Sequence, residues 1–119
     1  MDTLGNILDS WIYDGGNNLD TGQDFKSTKD GGFIIGGNSR SYTADNNSDF
    51  LMIKIDSIGN IEWQNTYGTL NDETVRSYNY LTKTKDGGYA MLGEERFEVP
   101  TNHYEAILLK VDNAGSQQW

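Results

Sequence analysis

Residues Asp49 to Asp56 read Asp-Phe-Leu-Met-Ile-Lys-Ile-Asp, a short apolar run with polar ends. The run is too short for a helix and predicts a buried strand. Ser57-Ile58-Gly59-Asn60 follows as a turn, in which Gly59 and Asn60 take positive φ at low cost. From Ile61 to Tyr67 large apolar and polar residues alternate, as on an outer strand with one wet face. A polar connector then leads to Ser77–Thr84, a further strand, and to Lys85-Asp86-Gly87-Gly88, a hairpin turn. Asp-Gly marks such turns because the primed hairpin types need positive φ. Tyr89 to Glu94 is the return strand, so the pattern predicts four strands per unit and almost no helix.

The same signs recur at a constant spacing of 56 residues. Asp30-Gly31-Gly32-Phe33 returns as Asp86-Gly87-Gly88-Tyr89, Lys54-Ile55-Asp56 as Lys110-Val111-Asp112, Gly59 as Gly115 and Trp63 as Trp119. A period of that length with strand-like content predicts a repeat array such as a propeller, where one unit cannot bury its own apolar face. Residues 1–55 form a first repeat that begins with the outer strand of a unit, 56–111 the second, and 112–119 the start of a third, truncated one. Asp2-Thr3-Leu4-Gly5-Asn6-Ile7 matches Asp56 to Ile61 at a spacing of 54. Trp11 lies two residues beyond the position matching Trp63, which keeps it on the same side of a strand. Gln23–Thr28 takes the place of Ser77–Thr84 with Phe25 as its only large apolar residue, so a weak strand is expected there. The chain ends are out of phase with the unit. That predicts completion by another copy or by further repeats of a longer chain, through a head-to-tail contact that closes as a ring or grows as a filament.

The strings Asp-Gly-Gly-Phe-Ile-Ile-Gly-Gly-Asn-Ser, from Asp30, and Asp-Phe-Leu-Met-Ile-Lys-Ile-Asp-Ser-Ile-Gly-Asn-Ile-Glu-Trp, from Asp49, closely resemble the bacterial β-propeller repeats often called SBBP-type. The resemblance covers nearly the whole chain, most strongly Lys29–Gly68 and Lys85–Trp119. It implies an all-β, propeller-like fold with two four-stranded antiparallel blades, an extracellular or cell-surface setting, and no catalytic residues. The chain departs from the pattern at Gln23–Thr28, and at Ser116-Gln117 where the earlier copy has Asn60-Ile61.

Composition narrows the chemistry. The 14 glycines and single proline fit a chain of many tight turns, and the absence of cysteine excludes disulfides and thiolate metal sites. No apolar run approaches membrane-spanning length. With 18 acidic against 9 basic residues, the net charge of −9 argues against a general binder of nucleic acid or anionic membranes.

Asp45, Asn47 and Asp49 place oxygens at alternate positions, as calcium loops do. The loop lacks a glycine at its sixth position and a closing glutamate, and Thr101–Glu105 in the second unit does not repeat it, so a solvated loop is the favoured reading. Arg40 and Arg96 fall in register, either to bind an anion on each unit or to pair with an acidic neighbour. The second is preferred. Trp63 and Trp119 are ligand or interface candidates, and Trp63 with Tyr78, Tyr80 and Tyr89 suits either a sugar-stacking platform or the core. Asp72-Glu73, Glu94-Glu95 and the single histidine, His103, match no catalytic constellation. The expected function is a non-enzymatic scaffold that self-associates. A carbohydrate-binding module with one shallow glycan site per unit is the alternative, and a hydrolase comes third.

Overall fold

The computed structural model describes residues 3–5, 7, 10, 12–13, 18, 20–41, 47–69, 72–74, 80–97 and 102–119. Four five-residue loops within these spans close in the same way. In the first, the Thr28 N–H donates to the Gly32 carbonyl at 2.9 Å and the Gly31 N–H to the Thr28 carbonyl at 3.1 Å; the segments 56–60, 84–88 and 112–116 repeat both bonds. The fourth residue is always glycine, with φ of 85° at Gly31, 91° at Gly59, 88° at Gly87 and 83° at Gly115. An L side chain enters that region at a cost of ~1–2 kcal/mol. Aspartate completes the loops: Asp56 Oδ1 accepts the Ile58 and Asn60 N–H groups, each at 2.9 Å. Asp112 Oδ1 does the same for Ala114 and Ser116. These are three-residue hairpin loops, in place of the two-residue primed turns that Asp-Gly suggests.

The loops join two antiparallel sheets, and there is no helix among the described residues. The first sheet is a meander of β1 (Asp20–Ser27), β2 (Phe33–Ser39), β3 (Asp49–Ile55) and β4 (Ile61–Tyr67) in that order. In the second, β5 (Asp72–Thr74) and β6 (Leu81–Lys83) both line one side of β7 (Tyr89–Phe97), and β8 (His103–Val111) lines the other. Gln117 then bridges to Val111, and the Lys110 N–H donates to the Trp119 carbonyl at 2.8 Å. A fourth row thus begins where Ile61 and Trp63 pair with Ile55 and Lys54 in the first sheet.

Three expectations change. The weak strand is β1, which pairs with β2 over its whole length apart from a bulge at Gln23. Asp24 is satisfied both across the sheets and along its own strand: its Oδ2 accepts the Leu81 N–H at 3.1 Å and pairs with Lys26 Nζ at 2.9 Å. In the well-patterned counterpart, Ser77–Thr84, Leu81–Lys83 are strand, Tyr80 and Thr84 are not, and Ser77–Asn79 lie outside the described residues. Within Thr101–Glu105, expected to be a loop, His103, Tyr104 and Glu105 belong to β8.

The sheets pack face to face around Ile34, Phe50, Met52 and Tyr67 from the first and Leu81, Tyr89, Met91, Leu109 and Val111 from the second. Neighbouring residues on a strand point to opposite faces, and the 56-residue shift does not map one inner face onto the other. Ile34, Phe50 and Met52 correspond to Ala90, Ala106 and Leu108 on the outer side of the second sheet. Phe33, Ile35, Ile53 and Ile55 on the outer side of the first correspond to Tyr89, Met91, Leu109 and Val111 inside. The two sheets are stacked in the same orientation, the front of one on the back of the next.

Candidate functional site

The repeated charged residues form latches. Lys54, on β3, is almost wholly buried, and its Nζ reaches Asp30 Oδ2 at 2.8 Å, Glu62 Oε2, and the Ile55 carbonyl at 3.0 Å. Burial opposes its charge, but Asp30 and Glu62 outweigh that and hold the ammonium above its ordinary pKa. In the second unit Lys110 Nζ meets Asp86 Oδ2 at 2.7 Å. Asp30 and Asp86 are both held well below the usual carboxylate range, first by the lysine, then by a threonine hydroxyl and a glycine N–H. Each latch ties the loop before the second row of its sheet to the end of the third. The sequence held a signal for this pairing: Asp30 and Lys54 are 24 residues apart, and Asp86 and Lys110 repeat that separation.

The other candidates separate. Asp45 lies outside the described residues; Asn47 precedes β3 and Asp49 opens it, both half-buried. Among the described residues no three His, Cys, Asp or Glu side chains gather as a metal-binding group. Arg40 is exposed just after β2, whereas Arg96 sits within β7, and its Nε donates to Asn102 Oδ1 at 3.0 Å. Glu94 and Glu95 are neighbours on β7, and the side chains of Asp72 and Glu73 lie outside the described set. His103 stacks on Phe97 with ring centroids 5.1 Å apart and has Nε2 3.4 Å from Glu105 Oε1.

Of the aromatic platform, Tyr78 lies outside the described residues, Tyr89 is core, and Trp63 and Tyr80 pack against that core. The Trp63 and Tyr89 rings lie 6.1 Å apart, and Trp63 Nε1 donates to the Asn113 carbonyl at 3.0 Å. These aromatics join the sheets and do not form an open stacking surface. Trp119 is different, being 60% exposed.

Among the described residues, apolar side chains are exposed at Leu4, Ile7 and Ile12, on the loop at Ile58, and on both outer sheet faces. On the second sheet Leu92, Tyr104, Leu108 and Trp119 are open to solvent. On the first, Leu51, Ile53 and Ile55 are buried with Tyr13 and Ile35 packed on them, while Phe25 and Phe33 remain exposed. Beside these phenylalanines lies a hollow of about 420 Å³ lined by Gly22, Gln23, Asp24, Phe25, Phe33, Ile35 and Ile55. The sequence reading missed Phe25, Phe33 and Leu92 as surface features, because alternation does not say which of two apolar faces a neighbour covers.

No helix among the described residues is long and apolar enough to cross a membrane. Comparison with known proteins gives no match to a family model, a curated protein or a solved structure.

Proposed function

We propose that this chain is a non-enzymatic β-propeller repeat module of a secreted or surface protein, acting as an interaction scaffold through self-association. The observation that carries this reading is the use made of the repeated residues. Asp30 and Asp86 fix loops, Lys54 and Lys110 latch them, Gly31, Gly59, Gly87 and Gly115 turn the chain, and Trp63 joins the sheets. What the two units share is the means of building and stacking sheets. Exposed aromatic and aliphatic side chains on both outer faces suit further stacking.

Static light scattering over a range of concentrations tests the proposal. Mass should rise above that of one chain as concentration increases. A well-folded species that stays monomeric throughout overturns the reading.

A further inference from the structure

We propose that a second copy of this chain docks the outer face of its second sheet onto the outer face of the first sheet, with Leu92 of one copy seated in the Phe25–Phe33–Ile35 hollow of the other. This rests on the self-association reading and names the surfaces that carry it.

The internal interface supplies the template. The inner faces that already pack there are, after the 56-residue shift, the same two faces that lie outermost, the first sheet's being covered in part by Tyr13 over Leu51, Ile53 and Ile55. One side of the template thus has its copy on the second sheet's outer face, and the other side has its copy on the first sheet's. A contact between those copies joins unlike surfaces, front to back, as a heterologous interface does.

Particular residues carry the correspondence further. Inside the molecule Gly36 lies against Met91 and Leu81: a Cβ placed on it would stand 3.0 Å from Met91 Sδ and 3.4 Å from Leu81 Cδ2. The shifted counterpart of Gly36 is Leu92, and the residues that correspond to Met91 and Leu81 are Ile35 and Phe25. Within the chain, then, an absent side chain faces two large ones. At the outer faces a leucine that is 42% exposed faces a hollow of about 420 Å³ bounded by those two positions. The exchange of glycine for leucine on one side is matched by room on the other.

The aromatic contact transfers in the same way. Trp63 packs on Tyr89 within the chain, and their counterparts Trp119 and Phe33 are 60% and 37% exposed. One copied contact is already made on the first sheet's outer face. Tyr67 Oη donates to the Gly115 carbonyl at 2.6 Å in the internal interface, and Tyr13 Oη donates to the Gly59 carbonyl at 2.8 Å. Tyr13 precedes Tyr67 by 54 residues, the spacing of the N-terminal copy, and Gly59 is the counterpart of Gly115. This face therefore accepts the template's hydrogen bond at one end, and Phe25 and Phe33 remain open at the other.

The full chain carrying Leu92→Asp, the full chain carrying Phe25→Asp, and their equimolar mixture test the inference by sedimentation velocity. Both side chains are exposed, so each variant keeps the far-UV spectrum of the unsubstituted chain. A carboxylate forced into the apolar contact should weaken self-association about a hundredfold or more in either variant alone. The mixture should recover a dimer that grows no further, because the intact hollow of one variant meets the intact Leu92 of the other. A mixture that stays monomeric while the unsubstituted chain associates overturns the head-to-tail contact. Association undiminished in both variants overturns the surfaces and leaves the scaffold reading standing; an unsubstituted chain that never associates overturns both. Cysteine labels give an independent readout, since the sequence has no cysteine of its own. A Leu92→Cys copy and a Phe25→Cys copy should form a disulfide with each other on mild oxidation, and neither should form one alone; homodimers of either label contradict the front-to-back geometry.

Discussion

Lys54 and Lys110 occupy the same place in their sheets and make the same latch to an aspartate, yet their surroundings differ. Lys54 has a side chain 5% exposed under the second sheet and pairs with both Asp30 and Glu62. Lys110 is 13% exposed on an outer face and pairs with Asp86. The loops around them are alike, down to the hydrogen bonds of Thr28–Gly32 and of 84–88. The local motif thus builds the loop and latch unaided, and what a neighbouring sheet contributes is the burial of the face above them.

The sharpest test of that division sets Leu109→Ala against Leu108→Ala. Leu109 is 4% exposed on the inner face and Leu108 is 49% exposed on the outer one. In dilute monomeric solution Leu109→Ala should cost about 3 kcal/mol and Leu108→Ala less than about 1 kcal/mol, measured by urea denaturation. Equal losses would mean that the outer face is covered within a single chain.

The latches come next. Lys54→Met, which keeps the apolar stem and removes the charge, should destabilise by about 2 kcal/mol, a figure discounted because both carboxylates reach water. Lys110→Met should cost less. The acid limb follows from the carboxylates. Asp30 and Asp86 have folded pKa values depressed below the ordinary value. Their stabilisation is complete above the unfolded value of about 4 and is lost as pH falls through the folded one, so urea midpoints should decline below about pH 5. Lys54→Met should flatten that decline more than Lys110→Met does; an unchanged slope in both would show that the lysines do not hold the aspartates.

The smallest effect should also be the most even. Gly31→Ala and Gly87→Ala each force a Cβ onto a backbone with φ near +85° and +88°, and neither Cβ meets an atom closer than 3.4 Å. Each should lose about 1 kcal/mol in the same denaturation assay. A marked inequality would show that the two loops are not equivalent.

The parts legible in the sequence are those decided locally. Asp-x-x-Gly and Asp-Gly-Gly mark the loops because a positive φ and a nearby carboxylate are requirements of a few adjacent residues. Ile61–Tyr67 was readable as β4 from its alternation alone. β1 was under-read because Asp24 satisfies itself on Leu81, which is distant in sequence, and no hydrophobic count records that bond. Of Ser77–Thr84 the described part pairs as β6 at Leu81–Lys83, with Tyr80 and Thr84 just outside the strand, and Ser77–Asn79 lie outside the described residues. Of the candidate site, the arginines, the Asp45–Asp49 loop and the tryptophans were visible as residue types. The hollow beside Phe25 was not, because it exists only where β1, β2 and β3 lie side by side.

The order β1-β2-β3-β4 has a consequence for how the chain is made. Every strand of the first sheet pairs with its neighbour in sequence, so this sheet can be completed as soon as Tyr67 emerges from the ribosome. At ~5–20 residues per second, several seconds then pass before β7 and β8 follow. During that interval Ile34, Phe50 and Met52 have no cover, and another nascent chain competes for them with the second sheet still being synthesised.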